Sequence, residues 1–172
     1  MSSSDRFAAC LAVTLQQEGG FSNNPADPGG ATMRGVTQRV YTAYRVAHGL
    51  VDQTVANISD AELSDIYRSE YWAPVCCDQL PMGVDLCAFD FAVNAGDTRS
   101  EMVLQQSLGV TVDGHVGPQT ISAAKAADPH ALAGRMLDLR ATFYRQLATA
   151  TPSDSEFLDG WLNRVAALRA LV

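Results

Sequence analysis

Apolar side chains recur every three or four residues along most of this chain, which is the spacing of one face of an α-helix. The alternation of apolar and polar residues that marks a half-buried strand is nearly absent. The pattern therefore predicts an all-α fold, with at most a small β-hairpin near residues 21–36. The predicted helices cover residues 5–18, 37–47, 59–71, 83–95, 98–108, a segment that starts at 118, 128–148 and 154–171.

Local signals predict where several of these helices begin and end. Two segments, 59–62 and 98–101, have the Ser/Thr-x-x-Glu spacing of a capping box. The pair Gly19-Gly20 predicts the end of the first helix. The helix over 83–95 is apolar nearly all round, so we expect it to be the central buried helix.

The charge and hydrophobicity of the chain indicate which classes of partner are not expected. The 172 residues are 47% hydrophobic and carry a net charge of −7 without a long basic run, so nucleic acid is not an expected partner. No segment predicts membrane insertion, and residues 1–6 lack the basic and apolar regions of a secretory signal. We therefore expect a protein that is made in the cytoplasm without a signal peptide. We also expect a monomer.

The cysteines and histidines indicate no metal or cofactor. Four cysteines and three histidines are scattered at spacings that match no zinc motif. Reduced, mostly buried thiols are expected, and a disulfide formed after export is the alternative. A nucleophilic thiol at Cys76 or Cys77 has no neighbouring histidine in sequence to support it.

A carboxylate at the end of the first helix is the main candidate for catalysis. Glu18 lies where the helix dipole places partial negative charge, which disfavours ionisation of a carboxyl group. A glutamate that keeps its proton near neutral pH can donate it to a leaving oxygen. The sequence therefore predicts Glu18 as a general acid.

The glycine-rich loop after Glu18 supplies partners for it. This loop contains Asp27-Pro28-Gly29-Gly30-Ala31-Thr32, and its glycines allow tight turns and close approach to a ligand. Cleavage of a glycosidic bond needs an acid near a second carboxylate or a positioned water. Asp27 is the candidate to stabilise charge on the sugar or orient a water, and Thr32 to hold that water. The alternative is a surface glutamate followed by an ordinary turn.

Several segments carry a resemblance to a known family. The stretches Glu18–Phe21 and Asp27–Thr37 resemble the signature of the glycoside hydrolase family 108 muramidases, and residues 71–74 and 88–96 resemble its later blocks. Residues 112–120 are similar to the Asp-Gly-x-x-Gly-Pro-x-Thr signature of a C-terminal module described as peptidoglycan-binding. The resemblance covers about residues 5–165.

The resemblance implies a lysozyme-like helical fold and hydrolysis of the β-1,4 bond between N-acetylmuramic acid and N-acetylglucosamine. It implies a catalytic region over 5–96, and a helical module over 97–172 packed against it as one compact unit. The family's catalytic glutamate corresponds to Glu18, with Asp27 and Thr32 as its partners. The implied partner is the glycan strand of peptidoglycan, reached in the periplasm or cell wall through a holin, a dedicated channel or lysis.

Four further residues are candidates for binding substrate. Tyr71 and Trp72 are predicted to form a platform for a sugar ring, with core packing at a helix end as the alternative. Asp90 and Asn94 are one turn apart on the apolar helix, where polar groups either line the cleft or satisfy buried partners. The Asp113-Gly114 turn is interpreted as completing the fold more than as binding glycan.

Other functions stay open at this stage. A lytic transglycosylase would cut the same bond without water, and a non-catalytic protein would bind the wall and release nothing. A chitin hydrolase and a zinc amidase have less support. The anomeric outcome depends on the separation of the carboxylates, which the sequence does not give. Nor does the sequence distinguish a phage endolysin from a secretion-associated enzyme.

Overall fold

The computed structural model describes residues 3–22 and 31–172. It divides into two compact units, residues 1–70 and 71–172. Eight α-helices and three short strands lie in the described residues, which confirms the predicted all-α class with a small hairpin element. The elements are α1 (Ser3–Leu15), β1 (Phe21–Ser22), β2 (Thr32–Met33), β3 (Val36–Thr37), α2 (Gln38–Ala47), α3 (Asp60–Tyr67), α4 (Val84–Ala95), α5 (Asp97–Leu108), α6 (Pro118–Ala126), α7 (Pro129–Ala150) and α8 (Leu158–Arg169).

The unit of residues 1–70 contains a small antiparallel sheet in the order β1-β2-β3. Phe21 pairs with Met33 across the first ladder, and Met33 pairs with Val36 across the second. The predicted hairpin is therefore present, with one more strand than expected. Its strands are two residues long, too short for an alternating pattern to reveal.

The first helix ends three residues earlier than predicted. It closes at Leu15, and the chain continues through backbone bonds from residue i to i−3, ending with Glu18 N–H to Leu15 C=O at 3.3 Å. Neither Gly19 nor Gly20 adopts the left-handed conformation of a glycine cap. The prediction that this pair stops the helix is wrong, because the tighter turn over residues 16–18 already ends it.

The ends of α2 and α3 follow the predicted capping chemistry. The Thr37 hydroxyl accepts from the Val40 N–H, and Gly49 closes the helix with a φ of 65°. At α3 the Ser59 hydroxyl accepts from the Glu62 N–H while the Glu62 carboxylate accepts from the Ser59 N–H, which confirms the capping box. The chain then passes into a π-helical segment, Arg68–Trp72.

The unit of residues 71–172 is built around α4. This helix is buried from Val84 to Ala92 and packs against α5 and α7, while α7 packs against α8. The prediction of a central buried helix is confirmed. Pro118 and Pro129 each occupy the first turn of a helix, where the backbone N–H that proline lacks would have no acceptor within the helix.

The second predicted capping box is wrong. Helix α5 starts at Asp97, and its cap is Gly96 at a φ of 90°. Ser100 is buried and donates its hydroxyl proton to the Ala88 carbonyl of α4 at 2.6 Å. The Ser/Thr-x-x-Glu spacing therefore starts two positions after the actual cap, and within this segment it is Ser100 that joins α5 to α4.

The Asp113-Gly114 turn has a structural explanation. Gly114 has a φ of 75°. The buried Gln105 amide donates to Asp113 Oδ1 at 2.6 Å and accepts from the backbone N–H groups of Asp113 and Gly114 at 3.0 and 2.9 Å. These bonds hold the connector against α5, which agrees with the interpretation that this signature completes the fold.

Candidate active site

Glu18 lies directly after α1, in the turn that leads into β1, and its side chain is half-buried. The segment that follows it is tied to the sheet, because the Arg34 N–H donates to the Gly20 carbonyl at 3.4 Å. The segment that follows α1 therefore lies next to the β2–β3 hairpin in the unit of residues 1–70.

Arg34 and Gly35 form the two-residue turn between β2 and β3. Their φ angles are 47° and 80°, the double positive φ of a type I′ turn, which matches the twist of paired strands. Arginine is an unusual residue at positive φ, so this conformation needs support from outside the turn. That support comes from an ion pair of Arg34 Nη1 with Asp60 Oδ1 at 2.8 Å and from Tyr67.

Tyr67 at the end of α3 reaches under this turn. Its ring is buried, and its hydroxyl donates to the Arg34 carbonyl at 2.8 Å. A Cβ built on Gly35 would overlap the Tyr67 hydroxyl oxygen and lie 3.2 Å from Glu18 Oε2. The Glu18 carboxylate, the Gly35 backbone and the Tyr67 hydroxyl therefore meet at one point, with no room for a side chain between them.

The predicted partners of Glu18 have different outcomes. Thr32 lies half-buried on the middle strand of the sheet, three residues before Gly35, so it belongs to the hairpin that Glu18 contacts. Asp27 lies outside the described residues, and its role stays a prediction.

The four residues predicted to bind substrate lie in the unit of residues 71–172. Trp72 is completely buried, donates its indole N–H to Asp78 Oδ1 at 2.8 Å and packs edge-on against Phe89. A ring with no exposed surface cannot stack on a sugar, so the platform is wrong for Trp72 and its core-packing alternative holds. Tyr71 is half-buried, and its role stays a prediction.

Asp90 is also buried, which corrects its assignment to the cleft. Its carboxylate lies 2.7 Å from Arg140 Nη1 of α7 and 2.8 Å from Arg164 Nε of α8. Burial alone would raise the pKa of Asp90, but Arg140 and the hydrogen-bonded Arg164 outweigh it and hold this pKa below its usual range. Asn94 is half-buried and accepts a hydrogen bond from Tyr144 on α7, so it too joins helices.

Among the described residues, the cysteine, histidine and carboxylate side chains form neither a disulfide nor a candidate metal site. None of the four cysteines forms a disulfide, and Cys10, Cys77 and Cys87 are buried. Burial raises the pKa of Cys87 to about 12, which keeps it protonated. The described part of the chain holds no group of histidine, cysteine and carboxylate side chains arranged for a metal ion. No helix in that part is both long and apolar enough to cross a membrane.

The sequence matches two family models, and the fold matches a solved structure. The family model for Glycosyl hydrolase 108 matches residues 11–96, a range that includes Glu18, the hairpin and Tyr67. The chain belongs to glycosyl hydrolase family 108. A second model, named Predicted Peptidoglycan domain, matches residues 99–166 of this glycosyl hydrolase. The two matches together identify a glycoside hydrolase that acts on peptidoglycan.

A solved structure supports this placement of the family 108 hydrolase. The structure of Brucella abortus SagA has 30% sequence identity to it and a TM-score of 0.79, and the alignment covers 98% of this chain and 94% of that one. No curated protein matches the sequence.

Sequence reasoning missed three residues that shape the site of this hydrolase: Arg34, Gly35 and Tyr67. A two-residue turn is most recognisable as Asn-Gly or Asp-Gly, and Arg-Gly lacks that signal. Tyr67 follows Leu63 and Ile66 on the buried face of α3, so its spacing indicates core packing only. The contact with Gly35 depends on a tertiary approach between segments distant in sequence.

Proposed function

We propose that this hydrolase is an N-acetylmuramidase of the lysozyme type, which cleaves the β-1,4 bond between N-acetylmuramic acid and N-acetylglucosamine with Glu18 as general acid. The observation that carries the proposal is the close approach of the Glu18 carboxylate to the Arg34–Gly35 turn, where a Cβ built on Gly35 would lie 3.2 Å from Glu18 Oε2. A general acid must be held in one geometry to protonate a leaving oxygen efficiently.

In the proposed reaction the Glu18 carboxyl group gives its proton to the glycosidic oxygen as the bond from that oxygen to C1 breaks. Positive charge develops on the sugar ring, and a water molecule adds to C1 while its proton passes to a carboxylate. Asp27 and Thr32 are proposed to stabilise that charge or to hold the water. The product is a new reducing end.

Replacing Glu18 by Gln tests this assignment, because Gln keeps the size of the side chain but has no acidic proton. We expect turbidity loss of purified sacculi to fall by about 100-fold or more, while the circular dichroism spectrum and thermal transition stay unchanged. Glu70→Gln is the matched control, since Glu70 is an exposed glutamate of the same unit. Full activity in a folded Glu18→Gln protein would exclude Glu18 as the acid.

Mass spectrometry of the released muropeptides tests the reaction type. Reducing N-acetylmuramic acid ends support hydrolysis, whereas 1,6-anhydro ends would indicate a lytic transglycosylase. Sacculi that bind the protein and release nothing would indicate a non-catalytic wall-binding protein. Because the proposed substrate is peptidoglycan, we also propose that the enzyme acts in the periplasm or cell wall. It would reach that compartment through a holin, a channel or lysis.

A further inference from the structure

A cleft between α5 and α7 lies outside the candidate active site, in the unit of residues 71–172. Its volume is about 210 Å³, below the roughly 300–1,000 Å³ of sites that enclose a whole small ligand. It therefore fits one end of an extended ligand. It is lined by Arg99, Met102, Val103 and Gln106 of α5 and by Leu139, Thr142, Phe143 and Gln146 of α7.

The chemistry of the cleft is that of a peptide site. Leu139, Phe143 and Val103 provide an apolar floor, while Gln106 and Gln146 are exposed at its edges. Neither glutamine side chain makes a hydrogen bond within the described residues. Each carries a donor and an acceptor, which is what a peptide group requires.

Arg99 gives the cleft a positive charge. Its guanidinium lies 4.3 Å from the centre of the Phe143 ring, and it makes no ion pair with any residue that the structure describes. A stacked guanidinium still presents its in-plane N–H groups, so it can bind a carboxylate in bidentate fashion. None of the described residues that line the cleft is acidic, although the chain as a whole carries a net charge of −7.

The surface continues along α7 past a second arginine. An adjoining groove shares Thr142 and Gln146 with the cleft and adds Arg145, Thr149 and Ala150. Arg145 has no ion-pair partner among the described residues. The surface therefore offers two positive charges to one extended ligand.

We infer that this cleft binds the acidic stem peptide of peptidoglycan, with a free carboxylate on Arg99. A glycan strand fits the cleft less well, because a pyranose ring would need an open aromatic face. One face of Phe143 is covered by Arg99, and its ring also packs against Phe91 in a T-shaped pair and against Tyr144 in a tilted pair. Stem peptides combine amide groups with free carboxylates, which complement the glutamines and arginines.

The inference rests on the proposed action on peptidoglycan, but its test measures binding alone. Calorimetry with the whole 172-residue chain would compare three probes: an acidic stem tetrapeptide, the same peptide with its carboxylates amidated, and a peptide-free disaccharide. We expect the acidic peptide to bind and amidation to weaken binding roughly tenfold or more, because the charged hydrogen bonds are lost.

Variants locate the binding on the cleft. Arg99→Gln should weaken binding of the acidic peptide roughly tenfold, whereas Lys125→Gln, which removes one positive charge from the exposed face of α6, should not. If Arg99→Gln fails to fold, Gln146→Ala and the amidated peptide on the wild type still test the site.

Each result has a distinct meaning. A protein that cleaves sacculi but does not bind the acidic peptide would overturn this inference and leave the proposed function intact. Binding of the acidic peptide that depends on Arg99 in a protein that cleaves nothing would support the inference and overturn the proposed function. Arg99-dependent binding of the disaccharide in place of the peptide would also overturn the inference.

Discussion

At the scale of single residues, Gly35 carries two separate constraints. It has a positive φ, which costs a side-chain-bearing residue about 1–2 kcal/mol, and it has no space for a Cβ beside Tyr67 and Glu18. We predict that Gly35→Ala lowers the free energy of unfolding by about 2–4 kcal/mol, because overpacking adds to the backbone cost. Hydrolysis of sacculi by the folded fraction should also fall, since the new methyl group displaces the Glu18 carboxylate.

Gly49→Ala separates these two effects. Gly49 has a similar φ of 65°, but no other group lies within 4 Å of the position that a Cβ would occupy there. Only the backbone cost of about 1–2 kcal/mol applies at this residue, and activity should stay at the wild-type level. Adding Tyr67→Phe to Gly35→Ala removes the oxygen that the methyl group meets and should restore part of the lost stability. Equal losses of stability and activity in the two alanine variants would show that the contact has no role.

At the scale of the elements, local chemistry predicts some boundaries and not others. Thr37, Ser59 and Asp128 cap their helices through bonds to residues three positions away, so the sequence contains the whole interaction. The start of α5 differs, because Ser100 bonds to Ala88 of another helix. The sequence also identified the carboxylate and the hairpin of the candidate site. It could not identify Tyr67, which acts through a tertiary contact.

Asp90 is the clearest case of a tertiary contact that overrides a sequence interpretation. It lies on α4, and both of its arginine partners come from later helices, α7 and α8. No local spacing connects these three residues. The ion pairs of Asp90 therefore join three helices. Removing one partner from such a buried group leaves an uncompensated charge, so a substitution there is expected to destabilise the fold strongly.

We predict that Asp90→Asn lowers the free energy of unfolding by about 3–5 kcal/mol, because two arginines beside the residue lose their counter-charge. Asp138→Asn is the matched control. Asp138 pairs with Arg169 at 2.5 Å on the exposed surface of the same unit, where such a pair contributes at most about 1 kcal/mol. Urea denaturation of the three proteins measures both values. Equal midpoints for Asp90→Asn and the wild type would contradict the structural role.

At the scale of the whole molecule, the boundary between the two family matches differs from the boundary between the two compact units. The family matches meet at residues 96–99, whereas the compact units meet at residues 70 and 71. Helix α4 falls within the residues that match the glycosyl hydrolase family, yet it packs against α5 and α7, which match the peptidoglycan domain. The C-terminal helices therefore complete the surroundings of α4 as well as carrying the proposed peptide cleft. The predicted division at residues 96 and 97 stays a prediction.

Buried and half-buried carboxyl groups make the free energy of unfolding depend on pH in two opposite ways. For Glu62, burial would raise the pKa, but hydrogen bonds from Ser59 and Tyr41 together with the charge of Arg45 lower it. The pKa of Asp90 is lowered as well. A lowered pKa stabilises the fold above the unfolded value, about 4, and this contribution is lost as pH falls through the folded value. The wild type should therefore lose stability in acid.

Glu101 acts with the opposite sign. Burial and then the charge of Asp97 raise its pKa, although His115 and a hydrogen bond from the Val116 N–H oppose the rise. A raised carboxyl pKa favours folding below the unfolded value, about 4.3, and this contribution is lost as pH rises through the folded value. Glu101→Gln cannot ionise and can still accept from Val116. We predict that its unfolding free energy relative to the wild type increases from pH 4 to pH 7 in urea titrations, whereas a constant difference across that range would contradict this assignment.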